Sequence, residues 1–204
     1  MKKYFSIISL SMLVVVTSCT KLEPKLYSDL TTANAYSTES DINAALVGIY
    51  ADLNPYPGDA WMYYAGYLVM TTDYSTDMGF STAAGDPTKM SNFTYDANNR
   101  YIRYNWQYMY NIISNSNLLL SKMDAVEMDE TKKKRIMAQA RFLRALAYRD
   151  ITDAWGPAPL YTTVTPPDQT ENAPLATVAE IDQQIIDDCK YGIDNLPEQW
   201  DESE

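Results

Sequence analysis

The chain has 204 residues, of which 46% are hydrophobic, with a formal net charge of -11 and no histidine. That length and apolar content sustain one domain with a real core, while so acidic a surface argues against binding nucleic acid or anionic lipid. Without histidine, Ser-His-Asp and Cys-His mechanisms and histidine zinc sites are excluded.

Residues 1–18 read as an export leader. Lys2 and Lys3 form a short basic start, and Phe5 to Val16 is mostly apolar, a run too short to span a bilayer and suited to a signal peptide. Val16-Thr17-Ser18-Cys19 has small residues before a cysteine, like the lipobox of bacterial lipoproteins, so Cys19 is the expected lipidation site and mature N-terminus. An ordinary secretory signal with an incidental cysteine is the alternative. Each buried acyl methylene gains about 0.8 kcal/mol, and a lipobox cysteine carries more than one chain. The mature protein is therefore expected to be anchored to a membrane without crossing it. Loss of Lys2 and Lys3 with the leader lowers the formal charge by two, from -11 to -13. Cys189 is the only other cysteine, so no internal disulfide forms, and its helical setting predicts a small buried hydrophobe.

Residues 19–35 lack periodicity and predict a tether; residues 36–204 predict one α-helical domain. Thr38 or a neighbouring serine caps its first helix, Glu39 and Asp41 suit the positive end, and Ile42, Leu46, Ile49 and Leu53 form the apolar face before Asn54-Pro55. Ala60 to Met70 reads as a further helical piece. Gly79, Gly85 and Pro87 then break the pattern, so Thr71 to Arg100 reads as a polar, aromatic-dotted loop, and loops of that length are usually functional or disordered.

Tyr101 to Met123 resumes a helix, with Trp106, Met109, Ile113 and Leu120 at helical spacing, and the acidic turn Asp124 to Asp129 leads into the most periodic stretch. There, between Lys132 and Leu160, Ile136, Ala140, Leu143, Ala147, Ile151 and Trp155 share one helical face. Arg141, Arg144, Arg149, Asp150 and Asp153 form a polar flank expected to stay in water, and Gly156, Pro157 and Pro159 end the helix. The run Lys132 to Arg135 reads as a solvated charged end rather than an anion site. Beyond a Thr/Pro-rich connector, Tyr161 to Ala173, the motif Thr177-Val178-Ala179-Glu180 fits a capping box. Its helix is expected to bury Ile181, Ile185, Cys189, Ile193 and Leu196 and to stop at Pro197. No alternating strand pattern is present, so the fold class is all-α.

Trp106-x-x-Met109-Tyr110-x-x-Ile113 and Ala138-x-x-x-Phe142-x-x-Ala145 resemble the two helices of a tetratricopeptide repeat, although Trp106 and Ala138 lie too far apart for one standard repeat. A more specific resemblance lies in the order of four segments behind the lipobox. These are ALVGIYADL at 45–53, Asp73 in MTTDYSTD, YNWQYMYNIISNSNLLL at 104–120 and ARFLRALAYRDITDAWGPAPL at 140–160. Together they resemble the N-terminal part of the SusD/RagB family of outer-membrane nutrient-binding lipoproteins of Bacteroidetes. Trp155 and Ala158 stand at positions of the hallmark that commonly vary.

The resemblance implies tetratricopeptide-like helical pairs with long irregular loops, on a cell-surface lipoprotein that covers a SusC-like TonB-dependent transporter. Such a protein captures oligosaccharides or other nutrients without cleaving them. Family members are more than twice as long, with further helical pairs and much of the ligand site in their later part, so this chain is expected to be a piece of such a protein. No cofactor or metal is expected.

Sugars offer flat apolar faces to aromatic rings and hydroxyls to polar side chains, and here tyrosine outnumbers phenylalanine 17 to 4. Within the long loop, Asp73, Tyr74, Asp77, Asn92 and Tyr95 are the expected ligand-facing residues, with Phe80 and Trp61 behind them; Asp73 best matches the family motif. Asp and Asn also serve as plain turn formers, and Trp61 suits a core position. Asp73 and Asp77 lack the glycine and glutamate of an EF-hand loop. Two other functions stay open: a scaffolding lipoprotein that holds a protein partner through its helices, and a surface hydrolase using some pair among the 27 acidic residues.

Overall fold

The computed structural model describes residues 35–53, 64, 66 and 68–200; the leader, Cys19, the tether up to residue 34 and Trp61 lie outside them. Among the described residues six α-helices follow in chain order: α1 (Glu39–Ala51), α2 (Leu68–Asp73), α3 (Asp86–Ser91), α4 (Arg100–Lys122), α5 (Glu130–Trp155) and α6 (Val178–Asn195). No strand occurs among the described residues. Their one isolated β-type bridge joins Ala158 to Ala176 and closes the base of the connector between α5 and α6. No described helix is long and apolar enough to cross a membrane.

The helix starts are chemically specified. Thr38 accepts from the Asp41 amide while the Asp41 carboxylate accepts from the Thr38 amide, and Thr177 and Glu180 form the same reciprocal box on α6. Asp129 caps α5 by accepting from the amides of Thr131 and Lys132. Each cap satisfies amides that the first helical turn leaves without partners. Gly156, at φ 74°, ends α5 in the left-handed conformation a glycine adopts without strain.

Ile42, Leu46 and Ile49 of α1 meet Met109, Ile112 and Ile113 of α4 and the Ile136–Ala140–Leu143–Ala147–Ile151 stripe of α5 in one buried core, to which α6 contributes Ile181. The sequence spacing thus locates the α5 core stripe. It misjudges the polar flank, because α6 packs along that side of α5. Ala138, Ala145 and Tyr148 are buried there too, Arg144 is only 3% exposed, and Asp150 is buried beside Arg149. Asp188, fully buried on α6, takes both Arg144 Nε and Nη2 at 2.8 and 2.7 Å.

That ion pair sets the rotation of α6. Its inward residues are Ile181, Asp188 and Gly192 with Ile185 half-buried, so Cys189 is only half-buried and Ile193, expected inside, is 80% exposed. The Lys132 to Arg135 run is a charged surface end, with Lys132 bridging to Glu39 of α1 at 2.9 Å.

Candidate ligand-binding site

The stretch between α2 and α4 is more ordered than a loop. Helix α2 runs on to Asp73, and Pro87 at the start of α3 suits a first helical turn, where its missing N–H removes an orphan donor. Both helices are six residues long, so tertiary contacts hold them rather than intrinsic propensity. Asn105 of α4 donates to the Thr71 hydroxyl at 2.6 Å, and Asp86 takes the Arg100 amide at 3.2 Å while its carbonyl accepts from Asn99 at 3.2 Å. Met90 and Tyr101 are buried together, and Met70 and Tyr74 pack against them. The stretch is thereby fixed to the first turns of the 23-residue helix α4.

Asp73 is the hub of a tight turn: its carbonyl accepts from the Thr76 amide and hydroxyl, and its carboxylate stays exposed. The turn closes so tightly that a Cβ on Gly79 would lie 2.2 Å from the Asp73 carbonyl oxygen. Asp77 is exposed, whereas Tyr74 is half-buried on the Met90–Tyr101 cluster. The Ser81 amide donates to Ser91 Oγ at 3.0 Å, so Phe80, 71% exposed, is brought beside the C-terminal end of α3, where Asn92 is the exposed cap residue. Tyr95 follows, also exposed. The structure therefore gathers Phe80 and Asn92 near one another and anchors Asp73 and Tyr74 at the α2 end of the same stretch.

Phe93 was not legible as a site residue. It is 62% exposed and held at φ 56°, a conformation that a bulky side chain adopts only under constraint. The constraint is visible: its amide bonds to Met90 and the next amide, Thr94, to Lys89, both closing the end of α3. The stretch carries exposed aromatic rings, carboxylates and an amide, which are the groups that hold a sugar's faces and hydroxyls.

A concave feature lies elsewhere and involves none of these residues. It is a groove of about 410 Å³ between α4 and the connector, lined by Trp106, Tyr110, Asn111, Ser114, Tyr161 and Thr165 among others. The connector wall is pinned from below. Tyr110 Oη donates to the Pro159 carbonyl at 2.8 Å; Tyr148 Oη accepts from the Tyr161 amide at 2.6 Å and donates to its carbonyl at 3.0 Å. Burial raises the pKa of both phenols, so they remain neutral donors. Asn117 donates to the carbonyls of Tyr161 and Thr163, and Arg144 Nη1 to that of Thr162 at 3.0 Å. Sequence spacing placed Trp106 in register with Met109, Ile113 and Leu120, and periodicity cannot reveal which side of a helix a later connector will line.

Long helices packed in succession, with an aromatic and polar platform fastened to the head of one of them, define a helical-repeat scaffold. The profile of the SusD-like family, described as "Starch-binding associating with outer membrane", matches residues 22–204, and the chain belongs to that family. It is 26% identical over 200 residues to SusD-like protein P2 of Formosa agariphila, an alignment covering 97% of this chain and 39% of that protein. Among solved structures, a laminarin binding SusD-like protein superposes with a TM-score of 0.70 at 26% identity, over 82% of this chain and 36% of its own. A structure with xylogluco-oligosaccharide shares the fold at a TM-score of 0.61 and 23% identity, over 78% of this chain and 30% of its own. This chain thus spans at most 39% of the length of these relatives. The all-α, tetratricopeptide-like class expected from the sequence is the class of these neighbours.

Proposed function

We propose that this chain is the helical N-terminal part of a lipoprotein that captures oligosaccharides at the cell surface and delivers them uncleaved to a SusC-like TonB-dependent transporter. The observation that carries the reading is the family match over residues 22–204. The laminarin-binding relative supports an oligosaccharide as the ligand class. On this reading residues 1–18 are the signal peptide, Cys19 carries the acyl chains, residues 19–35 are the tether and residues 36–204 the binding scaffold. Asp73, Asp77 and Asn92 take sugar hydroxyls, Tyr95 with Phe80 and Phe93 offers ring faces, and Tyr74 supports them from below. The family's "associating with outer membrane" description supports the location. Absence of histidine removes histidine-based hydrolysis and leaves a carboxylate pair open, and the platform is better suited to holding a sugar than to cleaving it.

The test is calorimetric titration of the full-length protein with two probes, a laminarin-derived oligosaccharide and a xylogluco-oligosaccharide. Heat of binding is expected for at least one, with Asp77→Ala and Tyr95→Ala each weakening it about tenfold, the effect of one lost hydrogen bond or stacked ring. An outer-membrane β-barrel should co-purify with the wild type. Exposed apolar residues on α5 and α6, among them Phe142 and Ile193, favour one competing reading, a scaffold for a protein partner. Absence of binding to either probe, together with loss of a protein complex on substituting those residues, would decide for the scaffold.

A further inference from the structure

We infer that the groove between α4 and the 159–170 connector is a second saccharide subsite, selective for a short neutral oligosaccharide; the inference rests on the carbohydrate-binding reading above. Three observations converge on it. The groove is aromatic on one side and polar on the other: Trp106 lies 4.7 Å from Tyr110, and Tyr110 lies 5.9 Å from Tyr161, as ring centroids, while Asn111, Ser114 and Thr165 bring an amide and hydroxyls to the same lining. Such a division matches a pyranose, whose faces are apolar and whose rim is hydroxylated. Asn111 and Ser114 make no side-chain hydrogen bonds among the described residues, so their polar groups are available to a ligand.

The connector wall, in turn, is preorganised. Its backbone from Pro159 to Thr163 is held by five hydrogen bonds from Tyr110, Tyr148, Asn117 and Arg144, and Arg144 is itself clamped by Asp188. A ligand meeting a fixed wall loses little affinity to ordering it. The third observation is charge. Among the described residues no charged side chain lines the groove, although 21% of the chain is charged. An acidic sugar would find no cation there and would approach a protein of formal charge -11. The lining runs along one face of α4 from Trp106 to Asn117, about 16 Å at the helical rise. With a volume of about 410 Å³, near the low end of the roughly 300–1,000 Å³ typical of ligand clefts, the groove suits a short saccharide segment. It shares no lining residue with the platform around Phe80 and Asn92, so the two sites are separable by substitution.

The experiment titrates the same two neutral probes, and an oligogalacturonate, into the full-length wild type, Asn111→Ala, Ser114→Trp and Asp77→Ala. Ser114→Trp fills the groove from an exposed helical position, and Asn111→Ala removes one amide without adding bulk, so a folding defect in the first leaves the second informative. The proposal expects loss of a binding event or about tenfold weaker affinity for a neutral probe in both groove variants, with unchanged circular-dichroism melts. It also expects no binding event for the galacturonate that the groove variants remove. Wild-type affinity in both groove variants, with binding lost in Asp77→Ala, overturns the groove and leaves the carbohydrate reading standing. Galacturonate heat abolished by Ser114→Trp overturns the neutral selectivity. A wild type that binds no probe overturns the carbohydrate reading and the groove with it.

Discussion

Arg144 belongs by periodicity to the wet flank of α5, yet it is among the most buried charges in the protein. Its guanidinium is held bidentately by Asp188, lies 2.6 Å from Asn117 Oδ1 and reaches the Thr162 carbonyl. The partner that makes this burial tolerable stands 44 residues further on, so no local pattern could announce it. Removing one member of a buried pair leaves the other charge uncompensated. Asp188→Asn is therefore expected to lower unfolding free energy by about 3–5 kcal/mol, as measured by urea denaturation. The double variant Asp188→Leu with Arg144→Met should recover only part of this, because Asn117 and the Thr162 carbonyl lose their donor. A single variant as stable as wild type would contradict the account. Among the candidate site residues, Asp73, Asp77, Asn92 and Tyr95 are legible as polar or aromatic members of a break-rich stretch, and the structure leaves all four exposed. Phe93 was not, since its left-handed backbone is imposed by the closure of α3.

At the scale of elements, the ends were more legible than the middles. The Thr177–Glu180 box could be read directly, since a four-residue motif carries its own hydrogen bonds. Helix α3 could not, and α2 only in its first three residues, because six-residue helices draw their stability from the partners they pack on. The boxes also give a pH dependence. Hydrogen bonds from the Thr177 amide and hydroxyl hold the Glu180 carboxyl below its ordinary value of 4.5, and the Thr38 hydroxyl and amide hold Asp41 below 3.8. A carboxylate with a lowered native pKa adds stability that is complete above its unfolded value and is lost as pH falls through the native one. Asp52 works in the opposite sense: burial raises its carboxyl, so its protonation favours the folded chain as pH falls. In Glu180→Gln the side chain still reaches the Thr177 amide and no longer titrates. The Tm advantage of wild type over this variant is expected to be present at pH 7 and to shrink as pH falls below 4.5. Parallel Tm curves for the two proteins would refute the assignment.

Across the whole molecule, hydrophobic spacing was sufficient for the all-α class, the chain order of the four longer helices and the stripe of α5 that faces the core. It was insufficient for the later turns of α6, where Asp188 and Gly192 face inward with Ile181 and Ile185 while Ile193 turns outward. Phe142 of α5 and Ile186 and Ile193 of α6 are exposed, apolar side chains of the kind that mark an interaction face where they adjoin. The 204-residue chain is expected to enhance the fluorescence of a hydrophobic dye while folded, and Ile186→Lys with Ile193→Glu should remove most of that signal without lowering the Tm. Equal dye binding by wild type and double variant would place the apolar surface elsewhere.

In the proposed role this SusD-like scaffold holds a saccharide and leaves it whole. Equilibrium dialysis of the full-length protein against the laminarin-derived oligosaccharide, followed by chain-length analysis of the recovered sugar, addresses binding and cleavage in one measurement. Retention of the oligosaccharide at its original length is the predicted result; an oligosaccharide that is not retained, or that returns shortened, would contradict the account.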